Sequence, residues 1–145
     1  MIGAGFQGAA GPAADAGKRE GTMPKKVLII EDSATDAAIV KELLEKEGIT
    51  TVISVSGKEG VEKAVALKPD LIVLDIMLPD ISGFDVCAKL KEKTALSATI
   101  VVVLSVKDNI EDITRAFHVG ADDYIIKPPL PELLTRKIKL YLGIR

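Results

Sequence analysis

Five polar residues stand where apolar runs end. Glu31 and Asp32 follow Val27–Ile30, Asp75 follows Leu71–Leu74, Ser105 follows Ile100–Leu104, and Lys127 follows Tyr124–Ile126. Singly, most have a plain explanation. An acidic pair can open a helix, because acids favour helix N-termini. A lone lysine is usually a solvated charge, and a lone serine says little. Asp75 is harder to explain that way, because an ionised carboxylate after a buried strand needs partners. Together, the five suggest a chemistry. Three carboxylates in one place repel each other unless a proton or a cation joins them. A few hard oxygen ligands suit Mg²⁺, which keeps several waters and often bridges to phosphate. Lys127 supplies a point positive charge and Ser105 a hydroxyl donor. A carboxylate so surrounded can attack phosphorus, as aspartyl-phosphate chemistry requires. Phosphoryl transfer then needs mainly positioning and charge neutralisation.

These residues meet only if their strands lie side by side and end at one edge. Five short apolar runs carry the pattern, the four above and Val52–Val55. Several are continuously apolar, as expected of strands buried on both faces of a parallel sheet. Helical segments separate them. Ser33-Ala34-Thr35-Asp36 reads as a capping-box start, with Val40, Leu43 and Leu44 on one face and Gly48 as a stop. Ser56 opens a second helix with Val61, Ala64 and Val65 inward, ended by Lys68-Pro69. Ser82 caps a third, with Phe84, Cys87 and Leu90 inward. Asp108 to Glu111 opens a fourth, with Ile110, Ile113 and Phe117 inward and Gly120 at its end. A fifth begins near Pro131 and buries Leu134, Ile138 and Tyr141. Strands alternating with helices in a (βα)₅ pattern imply right-handed crossovers and a doubly wound α/β sheet. In such sheets ligands bind outside the carboxyl ends of the strands, where all five polar residues fall.

Three segments also carry a resemblance. Val27-Leu28-Ile29-Ile30-Glu31-Asp32-Ser33, Leu71 through Asp75 to Gly83, and Gly120-Ala121-Asp122-Asp123-Tyr124-Ile125-Ile126-Lys127-Pro128 resemble the signatures of response-regulator receiver domains. The likeness runs from about Lys25 to the end of the chain. It implies a flavodoxin-like (βα)₅ fold with strand order 2-1-3-4-5. It implies that Asp75 is the phosphoacceptor and that Mg²⁺ is held by Glu31, Asp32, Asp75 and the Met77 carbonyl. Asp32 would be a direct ligand, with Glu31 acting largely through bound water. It further implies that Ser105 moves to meet the phosphoryl group, that Lys127 pairs with it, and that Tyr124 changes rotamer on activation. Met77 and Lys107 would tune phosphate lifetime, and Lys127-Pro128 would be cis. The implied role is phosphorelay signalling, with a histidine kinase or histidine phosphotransfer protein as donor. The implied output is a switch in the surface of the fourth helix, fifth strand and fifth helix.

Length and composition agree. The 145 residues suit one domain, and 48% hydrophobic content allows a packed core. A net charge of −2 argues against a direct grip on nucleic acid or a polybasic membrane anchor. No apolar run approaches a bilayer span, and the single cysteine suits a reducing cytoplasm. Residues 1–22 are mostly Gly and Ala without hydrophobic periodicity, so they cannot offset the entropy of ordering. They read as a disordered tag or leader, or else a native tail, before a receiver-like domain at 23–145. Cys87 reads as core, His118 as a helix-end residue, and Asp80, Asp122 and Asp123 as loop or strand-entry residues. The sequence also bears on three rival functions. An Asp- and Mg²⁺-dependent phosphatase needs a general acid two residues after its nucleophile, where this chain has Met77. A flavin module would have Glu31 and Asp32 repel its phosphate. An unphosphorylated interaction module is consistent with the sequence.

Overall fold

The computed structural model describes residues 24–145, so the reading of residues 1–22 lies outside the described part. Five strands alternate with five helices: β1 Lys26–Ile30, α1 Ala34–Glu45, β2 Thr50–Ser54, α2 Gly57–Leu67, β3 Leu71–Leu74, α3 Gly83–Glu92, β4 Ile100–Ser105, α4 Ile110–His118, β5 Asp123–Ile126 and α5 Pro131–Leu142. A short 3₁₀ turn at Thr94–Leu96, not anticipated from sequence, follows α3. All neighbouring strands pair parallel, in the order β2-β1-β3-β4-β5.

Alternation along the strands divides the core into two layers. Val27, Ile29, Val73, Val102 and Leu104 pack on one face against Ala37, Val40 and Leu44 of α1 and Leu134 and Ile138 of α5. Leu28, Ile30, Leu74, Val101 and Val103 pack on the other against Ala64 of α2, Phe84, Cys87 and Leu90 of α3, and Ala116 of α4. Each fully buried Leu or Ile of this kind contributes about 1.5–3 kcal/mol relative to exposure. The central strands β1 and β3 are buried throughout all or nearly all of their length, which explains their unbroken apolar runs.

Helix starts follow the expected chemistry. Ser33, Ser56 and Ser82 accept from the backbone N–H groups of Asp36, Glu59 and Phe84. In α4 the cap is Asn109, which accepts from Asp112 N, rather than the expected Asp108. Several inward assignments differ. Val65 is exposed, because α2 approaches the sheet through Gly57, Gly60 and Ala64. Ile110 and Phe117 are 70% and 46% exposed, because α4 meets the core through the small Ala116. Arg115 of α4 instead lies over the Phe84 ring, 4.2 Å from its centroid. Tyr141 faces out enough for its hydroxyl to donate to Asp123 Oδ2 at 2.9 Å, and Leu142 takes the buried position.

Candidate active site at the carboxyl edge

Register brings the strand ends together. Ile30 lies beside Leu74, and Asp75 N donates to Ile30 O at 3.0 Å, so Glu31 and Asp75 emerge as neighbours. On the other side Ser105 pairs with Ile126, and Lys127 N donates to Ser105 O at 2.9 Å. The Lys127-Pro128 bond is cis.

Lys127 is the hub. Its ammonium donates to Glu31 Oε1, to Asp36 Oδ2 at 2.8 Å and to Asp75 Oδ2 at 3.0 Å. Glu31, Asp75 and Lys127 are buried side chains, whereas Asp36 is 40% exposed. The other Asp75 oxygen, Oδ1, accepts from Met77 N at 3.0 Å. The other Glu31 oxygen accepts from Ser33 N at 3.1 Å. Asp32 is exposed, and oxygens of Glu31, Asp32 and Asp75 all lie within 4.8 Å of one another. An all-carboxylate set at this spacing fits a small hard cation.

One ammonium cannot hold down every carboxylate around it. Burial pushes Glu31 up to about 7, against the pull of Lys127. Burial also opposes the charge on Lys127, but Asp36, Glu31 and Asp75 outweigh it and keep the ammonium charged above the ordinary lysine range. Lys127 is therefore a fixed cation in a pocket with carboxylate charge to spare.

The remaining sequence candidates sit around this centre. Ser105 is fully buried, and its Oγ accepts a long 3.4 Å bond from Lys107 N. Tyr124 packs inward against the α3-side core, and its hydroxyl donates to Lys107 O at 2.7 Å. Met77 is half-exposed beside Asp75. The Lys107 ammonium lies 3.7 Å from Asp112 Oδ2, so its backbone serves Ser105 and Tyr124 while its head is turned to α4. Asp80 belongs to the loop, as expected, but its carboxylate accepts from Gly57 N and Lys58 N, both at 2.8 Å, tying the β3–α3 loop to the start of α2. Cys87 is buried and donates weakly to Val119 O at 3.7 Å.

Two residues of the site were not singled out from sequence. In the sequence Asp36 reads only as part of a helix start. It is the third residue of α1, directly after the strand end that carries Glu31 and Asp32, and that closeness to the carboxyl edge is the signal in the sequence. Gly83, within the segment from Leu71 to Gly83, shows no role in the sequence alone. A Cβ there would stand 2.5 Å from Asp75 O and 2.4 Å from Ile76 Cα.

Comparison with known proteins identifies the family and the fold. The sequence profile described as "Response regulator receiver domain" matches residues 27–139. This chain belongs to that family. The receiver is 34% identical over 120 residues to the alkaline phosphatase synthesis transcriptional regulatory protein PhoP of Bacillus subtilis, covering 83% of this chain and 49% of PhoP. It is 38% identical over 112 residues to the response regulator ArlR of Staphylococcus saprophyticus, covering 77% of this chain and 50% of ArlR. The chain thus spans about half the length of these curated relatives. A CheY-like receiver domain protein from Methanospirillum hungatei superposes with a TM-score of 0.79 at 29% identity, covering 83% of this chain and 95% of that one. The receiver is accordingly a phosphorelay signalling domain of the two-component class. Among the described residues, no helix is long and apolar enough to cross a membrane.

Proposed function

We propose that Asp75 accepts a phosphoryl group from a histidine kinase or a histidine phosphotransfer protein. The observation that carries this is the Lys127 ammonium bonded to Asp75 Oδ2 within a ring of carboxylates suited to Mg²⁺. A carboxylate oxygen of Asp75 attacks phosphorus, the P–N bond of a phosphohistidine donor breaks, and the imidazole leaves with the electron pair. Hydrolysis reverses the state: water adds to phosphorus, the Asp75 carboxylate leaves, and orthophosphate is released. Lys127 holds charge on the transferred group, and Ser105 offers its hydroxyl to a phosphoryl oxygen. Glu31, Asp32, Asp75 and the Met77 carbonyl would hold Mg²⁺, which neutralises phosphoryl charge when bound.

The domain promotes only its own phosphorylation and dephosphorylation. Output follows from Ser105, Tyr124 and the loop that joins them at Lys107. Drawing Ser105 toward a phosphoryl group biases Tyr124 and the α4–β5–α5 surface, a local charge event acting on a two-state element. A downstream protein or output domain reads that surface. The receiver works in the cytoplasm without contacting nucleic acid or membrane itself. The test is mass spectrometry after treatment with a small phosphodonor and Mg²⁺. Wild type should gain one phosphoryl group, mapped to Asp75, and Asp75→Asn should gain none while remaining folded. Undiminished labelling of the variant would assign the acceptor elsewhere, and an unlabelled wild type would favour an interaction module.

A further inference from the structure

We infer that Asp36 is a positioning residue that tethers Lys127 and so weakens the pocket's hold on a phosphoryl group. The inference rests on the reading of Asp75 as acceptor. An ammonium has three N–H donors. In this receiver all three are placed on carboxylates, those of Glu31, Asp36 and Asp75. To bond a phosphoryl oxygen, Lys127 must turn a donor away from one of them. The three are not equivalent. Glu31 and Asp75 are buried, whereas Asp36 is 40% exposed and lines a groove with Ile39, Val106 and Pro128. The donor on Asp75 can pass to the phosphoryl group that Asp75 acquires, and a second donor is freed most readily from Asp36, where water can replace Lys127.

A second observation shows that the Asp36 carboxylate is committed to Lys127 rather than to its own helix. In a capping box the third helical residue bonds back to the N–H of the cap residue. Here Ser33 Oγ accepts from Asp36 N at 3.2 Å, but Ser33 N donates to Glu31. The return half of the box is taken by a site residue, and the Asp36 side chain is left for the ammonium. A phosphoryl group brings about −2 of charge to the same spot. Asp36 then both competes for the cation and repels the anion. Removing its charge should therefore tighten the pocket. A merely structural role would loosen it.

The probe is beryllofluoride, an anionic mimic of the phosphoryl group, titrated at saturating Mg²⁺ and followed by ¹⁹F NMR on the full chain. Asp36→Ala should bind it about two- to fivefold more tightly than wild type, the range set by a half-exposed ion pair. The gain should shrink at high salt, and Asp36→Glu should return toward wild-type affinity. The helix cap survives these changes because it uses the backbone N–H of residue 36. Independently, the Lys127 ¹⁵Nζ signal without beryllofluoride should shift in Asp36→Ala, which tests the tether with no phosphoryl mimic present. Equal or weaker binding by Asp36→Ala, or an unmoved Lys127 signal, would overturn the inference. Asp75→Asn separates the two readings: if it binds beryllofluoride like wild type, the acceptor assignment fails instead.

Discussion

A single added methyl at Gly83 measures how firmly the acceptor loop is fixed. Built on this backbone, a Cβ at Gly83 lies 2.4 Å from Ile76 Cα and 2.5 Å from Asp75 O. Non-bonded carbons rest about 3.5–4.0 Å apart, so relief needs a movement of about 1 Å. Neither neighbour is the loose end of a side chain. Both are backbone, held by Gly83 N to Ile76 O at 2.8 Å and Asp75 N to Ile30 O at 3.0 Å. Overpacking a tight site costs about 1–3 kcal/mol, and fixed backbone on both contacts places Gly83→Ala near the top of that range. For a domain of this size about 3 kcal/mol corresponds to a fall in Tm of about 10 °C. The displaced atoms include the acceptor's own carbonyl, so phosphorylation should also slow, by up to about 10²-fold for a shift near 1 Å. The control is Gly48→Ala, where φ is +79° and no atom lies within 4 Å of the added carbon. It should cost only the left-handed backbone penalty of about 1–2 kcal/mol and leave labelling intact. Thermal melts by circular dichroism and labelling rates with a small phosphodonor read both effects. If Gly83→Ala melts with the control and labels at the wild-type rate, the steric argument is wrong.

Asp80 is held down to about 2 by the N–H groups of Lys58 and Gly57. A depressed carboxyl contributes stability above its ordinary range and loses it as pH falls through the folded value. Asp80→Asn should therefore lower the urea midpoint at pH 7, and the gap from wild type should close toward pH 2; a pH-independent gap would exclude this cause. Burial pushes the Cys87 thiol up to about 11, so thiol reagents at pH 8 should label it only as fast as the domain opens. Its sign is opposite, since the stability it contributes is complete below the ordinary thiol range and lost as pH rises through about 11; rapid labelling of native protein would contradict its burial. Met77 is apolar and half-exposed beside Asp75, where it excludes rather than orients an attacking water. Met77→Asn should speed decay of the phosphorylated form about fivefold, the worth of one hydrogen bond to that water. Lys107→Ala should change decay less, because its ammonium is engaged near Asp112. Decay followed without kinase decides both, and an unchanged Met77→Asn rate would remove water exclusion as the cause.

Much of this receiver is local and therefore legible in one dimension. Unbroken apolar runs marked β1, β3 and β4, because strands covered on both faces have no polar side. Serine caps marked three helix starts, because capping is a contact within four residues. The strand-end placement of Glu31, Asp32, Asp75, Ser105 and Lys127 was legible too, since alternating strands and helices leave one edge for ligands. What required the third dimension was the choice among possible partners. The apolar stripe of α4 was visible, yet packing through Ala116 left Ile110 and Phe117 outside. Asp36 looked like a capping residue until Lys127, 91 residues away, claimed its carboxylate. Gly83 had no legible purpose before the Asp75 carbonyl was seen where its Cβ would be. Periodicity reports that a face is apolar or a residue charged. Which neighbour covers that face, and which of several acids shares one ammonium, is settled by distances that only packing creates.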